Sequence, residues 1–327
     1  MHKINYKYRQ FLFFLIKLAI VVGAFYFVYQ KTVHNNTISL ADFILQLEHH
    51  FIGNYKAVLI LFSFSFFNWF FEILKWQNLV SSIKIISILQ AAKQSLGSHT
   101  ASLFTPNRIG EYGAKAIYFN KNLRKKIVLL NLISNVLQMT ITVLFGAVGL
   151  FFLFLNFEID FPVFRLRRLV YYTVIITVSL FGGRFFISKK IRGFYWNKIL
   201  NFFKRLSKVI VFKTFLFSFI RYLIFSHQFY FLLRLFGVET DYYSIMMLIF
   251  AMYFIASIIP SLPMFDWLIK GSVAVFIFGF IQVNELVIVS ITLLMWLLNF
   301  ALPAIVGSYF VLNFRLFDSS NRNKKDI

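Results

Sequence analysis

Residues 102–119 read SLFTPNRIGEYGAKAIYF, and the ten positions 106–115 hold Pro106, Arg108, Gly110, Glu111, Gly113 and Lys115. Helix breakers and charges are concentrated here in a chain that is otherwise mostly apolar. Hydrophobic residues make up 59% of the 327 positions and aromatics 20%. A water-soluble domain cannot hide that much apolar surface, so lipid is the solvent for much of it. Apolar runs of about 20 residues, the length that crosses a bilayer, fall at 11–29, 56–75, 127–155, 169–188, 211–235, 242–259 and 286–312, with a shorter one at 267–281. The chain reads as an all-α polytopic membrane protein.

The formal net charge of +22 does not point to nucleic acid, because the basic residues sit in short loops beside apolar spans. That distribution is the positive-inside bias of a protein facing anionic headgroups. There is no cysteine, which excludes disulfides, thiol catalysis and thiolate metal sites. The first apolar run is long and lacks a small-residue cleavage site, so it reads as the first span and not as a signal peptide.

Counting Lys and Arg between spans orients the chain. The N-terminus (Lys3, Lys7, Arg9), segment 82–126 with eight basic residues, segment 189–208 with seven, and the tail at 314–327 are expected in the cytoplasm of a bacterial-type plasma membrane. Loops 30–55 and 236–243 are expected outside. Segment 156–168 should also be outside, although it carries Arg165, Arg167 and Arg168. On this count 82–120, with a broken helix near 86–120, begins and ends inside, whereas 242–281 begins and ends outside. About six full spans are therefore expected, with two re-entrant or hairpin elements dipping from opposite faces. Such broken helices are tolerated at membrane depth only where protein or a polar cavity covers the backbone.

The two broken segments are alike. Pro106, Pro260 and Pro263, three of five prolines in the chain, lie in them. Glu111 precedes Lys115 by four residues and Asp266 precedes Lys270 by four, both members offset by 155. An acid four residues before a base shares a helix face with it. Spacing alone is weak evidence, and Asp318 and Arg322 in the tail repeat it. Proline upstream and apolar helix downstream make the parallel informative. One membrane domain is expected, built as an inverted repeat of residues 1–160 and 161–315, with two broken helices meeting near the midplane.

The segments LFTPNRIGEYGAKAIYF and IIPSLPMFDWLIKGSVAVF resemble the membrane domain of the lysylphosphatidylglycerol synthase/flippase family, including its small stand-alone flippase-like members. The resemblance covers roughly 10–312. In the second motif Met264, Phe265 and Trp267 occupy a turn that is usually Gly-rich in the family, while Asp266, Lys270 and Gly271 remain. The resemblance implies two re-entrant elements around a polar cavity and movement of a charged lipid between leaflets. The bifunctional relatives carry a soluble aminoacyl-transfer domain after the membrane part; this chain ends soon after its last span, so aminoacyl transfer is not expected of it.

Ionisable groups at membrane depth are costly and usually face a cavity. Arg108, Glu111, Lys115, Asp266, Lys270, Arg221 and His99 are therefore the expected substrate-binding residues, set against the plainer readings of a surface ion pair and an ordinary turn. Arg108 is the natural phosphate ligand, because a guanidinium fork binds two phosphate oxygens. Glu111 would orient Arg108 or receive a cationic headgroup. Pro106, Gly110, Gly113, Pro260, Pro263 and Gly271 are the expected breaks, with Gly110 and Gly113 admitting the headgroup to the backbone. Arg221 should meet an acid, with Glu111 and Asp266 as candidates, while Glu72 and Lys75 read as an interfacial pair. His49–His50 lacks metal-ligand spacing, and no cofactor is called for.

Three functions remain. The chain is a lipid translocase or lipid-binding transporter for a phospholipid or polyprenyl-phosphate headgroup; or a polytopic transferase using an acid pair such as Glu158/Asp160 or Glu239/Asp241 on a lipid-linked substrate; or a non-catalytic partner of an envelope-lipid biosynthesis enzyme. The charge-bearing breaks favour the first. No Gly-rich phosphate loop ending in Gly-Lys-Ser/Thr is present, so an ATPase is not expected.

Overall fold

A computed structural model describes residues 45, 48, 50–103, 105, 108–157, 201–259, 263 and 266–314. The apolar runs at 11–29 and 169–188, loop 158–168, the tail from 315, Pro106 and Pro260 lie outside the described residues. Among the described residues all regular structure is helical: α1 (Tyr55–Val80), α2 (Ile88–Ala101), α3 (Ile109–Ile117), α4 (Lys121–Asn156), α5 (Lys208–Leu235), α6 (Tyr242–Ile258), α7 (Asp266–Gly279), α8 (Glu285–Trp296), a π-turn (Leu297–Ala301) and α9 (Leu302–Leu312). Among the described residues four helices are long and apolar enough to cross a membrane: α1, α4, α5 and the continuous Glu285–Leu312. The run at 242–259 forms the shorter apolar α6, of 17 residues.

Local chemistry sets the helix starts. Asn54 caps α1 by accepting from the Ala57 N–H (3.2 Å). Ser87 and Gln90 make a reciprocal capping box on α2. Asp241 accepts from the Ser244 N–H (2.8 Å) at the start of α6, and the Ser244 bonds hold its carboxyl below the usual carboxylate range. At 36 residues α4 is about 54 Å long against a hydrocarbon core of about 30 Å. Its first turn, with Lys121, Arg124 and Lys125, therefore stands beyond the lipid.

Helices α1 and α5 are antiparallel. Asn78, near the end of α1, bonds Ile210 and Thr214 near the start of α5; Asn68 meets Arg221 midway; and Phe64 packs on Phe231. Two further seams mirror each other. Helix α4 packs on α6, and α9 packs on α2. Glycine permits both approaches: a Cβ at Gly149 would strike the α6 backbone at Met247 and Ala251, and one at Gly307 would strike the α2 backbone at Leu96. From α1 to α4, and again from α5 to α9, the order is long helix, shorter helix, break, short helix, long segment.

The two breaks meet. Leu103, at the first, shares one buried cluster with Trp267, Leu293, Trp296 and Phe300. The Trp296 indole N–H donates to the Pro263 carbonyl at the second (3.3 Å).

Candidate functional site

Between the breaks lies a cavity of about 530 Å³. Every described helix except α2 and α9 contributes to its wall. The charged residues on it are Glu72 and Lys75 from α1, Arg108 and Glu111 from the first break, Arg221 from α5, and Asp266 and Lys270 from α7.

Both acid–base pairs expected from the sequence form. Lys115 Nζ is 2.7 Å from Glu111, and Lys270 Nζ is 2.6 Å from Asp266. Their surroundings differ. The Lys270 and Asp266 side chains are each about a third exposed. Lys115 is fully buried, donates to Asn131 Oδ1 (2.8 Å) and lies over the Trp76 ring. Lys115 thus stands behind Glu111, off the cavity wall.

Arg108 is the N-cap of α3 and sits in the left-handed region at φ 58°. Its side chain is exposed and makes no ion pair among the described residues; the guanidinium lies 5.7 Å from the centroid of Phe300. The Gly110 N–H donates to Thr105 Oγ1 (2.9 Å), and a Cβ at Gly110 would collide with that side chain. Thr105 therefore fills the room expected to admit a headgroup at Gly110. Gly113 has open space around it. At Gly271 a Cβ would press on Thr292.

Arg221 meets Glu72, not Glu111 or Asp266. The one Glu72 carboxylate accepts from both Arg221 and Lys75, the latter at 2.7 Å. This corrects the reading of Glu72 and Lys75 as an interfacial pair: Lys75 is 1% exposed, and α5 supplies a second cation. The reason is the antiparallel crossing, which brings Arg221 against Asn68, one turn before Glu72 on α1. Arg221 Nε donates to the carbonyl and side-chain oxygens of Asn68 (3.0 and 3.1 Å). Asn68 donates to Asn299 (2.9 Å), Asn299 to Gln228 (2.8 Å), and Gln228 to Ser65 (2.8 Å). One chain of amides thus ties α1, α5 and the π-turn together.

The π-turn follows from Pro303, which has no N–H to offer the carbonyl four residues back and whose ring crowds it. That carbonyl belongs to Asn299, and the Trp69 indole N–H takes it instead (3.0 Å). His99 Nε2 lies 3.2 Å from the Phe300 carbonyl, with the imidazole packed edge-on against Trp69 and Phe300. His99 is 2% exposed and holds the turn from behind; the expectation that it lines the cavity is not met.

Sequence reasoning passed over Asn68, Gln228 and Asn299, and treated Lys75 only as a partner of Glu72. The signal was there: Ser65, Asn68, Glu72 and Lys75 recur every three or four residues along α1, a polar stripe on an otherwise apolar span. Thr214, Ser218, Arg221 and Gln228 make the matching stripe on α5.

No curated protein and no solved structure gives a match. The sequence profile described as the lysylphosphatidylglycerol synthase TM region matches residues 14–307, a family associated with the modification and flipping of lipids. With most of its length matched, several apolar membrane-spanning helices, and charged breaks gathered on one cavity, the chain is an integral membrane protein of the lysylphosphatidylglycerol synthase transmembrane-region family.

Proposed function

We propose that the protein is a lipid translocase or lipid-binding transporter that takes a phosphate-bearing headgroup between its two broken helices. One observation carries the reading: Arg108 and Glu111 from the first break, and Asp266 and Lys270 from the second, line one cavity although they are distant in sequence. Arg108 clamps the phosphate through its planar fork. Glu111 and the Asp266–Lys270 pair sort headgroups by charge, and the exposed pair is the one a headgroup can open. The cavity's apolar side, with Met139, Phe225 and Phe229, accepts the upper acyl or isoprenoid chain.

An inverted repeat with two re-entrant elements accounts for the antiparallel α1 and α5, each beginning one half, and for the mirrored α4–α6 and α9–α2 seams. Rocking one half against the other would then expose the cavity to each leaflet in turn. Both termini lie on the cytoplasmic side in this reading, and the lipid environment, with an envelope-lipid enzyme nearby, supplies the partners.

The test is lipid movement in proteoliposomes, read by dithionite quenching of a fluorescent anionic lipid. Glu111→Lys and Lys270→Glu should each abolish it and change which lipids co-purify. Native rates and unchanged lipid selectivity in both folded variants would remove the cavity from function. Because the chain has no cysteine, single cysteines at 100–103 and 256–259 can report sidedness. Labelling of both sets from the same face would end the inverted arrangement.

A further inference from the structure

The charges on the cavity do not cancel. Lys115 neutralises Glu111 and Lys270 neutralises Asp266. Lys75 and Arg221 share the single carboxylate of Glu72, which leaves one positive charge over. Arg108 makes no ion pair among the described residues and adds a second. Among the described residues two uncancelled cations therefore face one cavity, whose wall mixes apolar side chains with the amides of Asn68, Asn135 and Gln138. The surplus at the buried Glu72–Lys75–Arg221 group is poorly screened, that at the exposed Arg108 less so, and together they are best met by a counter-charge of the same size.

Resting on the lipid reading above, we infer that the cavity is matched to a dianionic phosphate, the terminal monoester of a lipid, and not to a phosphodiester or an aminoacylated phospholipid. A phosphodiester such as phosphatidylglycerol brings one negative charge and leaves one cation unmet. Lysylphosphatidylglycerol has one phosphate and two amines and is a net cation, so it would add to the surplus. A phosphate monoester near pH 8 carries close to two negative charges and three strong acceptor oxygens. Those oxygens suit the fork of Arg108, which can bind a pair of them, and Arg221 keeps its Nη2 donors for a further oxygen because its Nε and Nη1 are held by Asn68 and Glu72. Arg108 and Arg221 are on different helices but line the same cavity, so a single phosphate group answers both. Glu72 is a positioning residue: it fixes Arg221 while neutralising only one of its two basic partners.

The test titrates the purified chain in detergent micelles at pH 8, reading the fluorescence of the cavity residues Trp69, Trp267 and Trp296. The ligands are dioleoyl phosphatidic acid, farnesyl monophosphate, dioleoyl phosphatidylglycerol, lysylphosphatidylglycerol and inorganic phosphate. The two dianionic lipids should bind at least about tenfold tighter than phosphatidylglycerol, as one extra unit of poorly screened charge requires, with lysylphosphatidylglycerol weakest. Arg108→Gln and Arg221→Gln should each bring the preference for phosphatidic acid over phosphatidylglycerol close to one. Arg108→Gln replaces an exposed, unpaired side chain and keeps the test open should Arg221→Gln fail to fold. Phosphatidylglycerol binding as tightly as phosphatidic acid would overturn this inference alone. Inorganic phosphate binding as tightly as the lipids would overturn the lipid source. No binding by any of the lipids would sink the translocase reading and this one with it.

Discussion

Asn68 on α1 and Arg221 on α5 touch where the two helices cross, the guanidinium Nε held at 3.0 and 3.1 Å by two oxygens of the asparagine. Counted from the helix caps Asn54 and Ser207, the two residues are at the same position in their own helices. In the inverted-repeat reading proposed above, equivalent residues that touch each other would lie on the axis relating the two halves, and that axis would pass through this polar contact.

Loss of the Glu72 carboxylate should leave Lys75 and Arg221 as uncompensated cations in a buried setting. Glu72→Ala is expected to cost about 3–5 kcal/mol, seen as a large drop in melting temperature in detergent. The double variant Glu72→Gln, Lys75→Met should recover part of it. If Glu72→Ala melts like the native protein, the shared carboxylate is not holding α1 to α5.

Arg108 separates stability from function in the opposite direction. Its left-handed backbone costs about 1 kcal/mol or more in a residue other than glycine. Arg108→Gly should leave the melting temperature unchanged or raised while lipid movement falls at least about tenfold, the loss expected from a charge-assisted bond of about 1.5–3 kcal/mol. Arg108→Lys should also lose activity, because it keeps the charge without the fork.

Two glycine classes should behave differently. Gly149→Val and Gly307→Val drive a side chain into a neighbouring helix backbone and should prevent accumulation of folded protein in the membrane. Gly113→Ala meets nothing and should add up to about 1 kcal/mol through helix propensity. A folded, active Gly307→Val protein would contradict the α2–α9 seam.

The two lysines of the repeated pair are equally placed in sequence and unequal in structure. Lys115→Met strands a buried Glu111 and should cost about 3–5 kcal/mol. Lys270→Met removes a partly exposed pair, costs at most about 1 kcal/mol, and should instead abolish lipid movement. Thermal unfolding and the proteoliposome assay, run on both, separate the roles.

The spans were legible because hydropathy over about 20 residues depends on composition alone, and the runs at 56–75, 127–155, 211–235 and 286–312 match α1, α4, α5 and the last span. The paired charges were legible because an i,i+4 pair is satisfied within its own helix. What crosses between helices was not. Glu72 chooses Arg221 through the angle and register of α1 on α5, which no local pattern encodes. The π-turn was hidden for a related reason: the run at 286–312 reads as one span, and Trp69 and His99, more than 200 positions away in sequence, supply the donors that let the helix continue past Pro303.

That π-turn also determines where this protein can change length. A π-turn holds one residue more than the same stretch of α-helix and leaves the helix beyond it facing the same way. One residue can therefore be removed between Leu297 and Ala301, together with Pro303→Ala, with Gly307 still seated on Leu96. Elsewhere in the last span a deletion would rotate Gly307 by about 100° and part α9 from α2. Asn299 and Phe300 sit within this stretch, so the wall of the cavity can be remodelled by that one deletion while the scaffold around it stays in register.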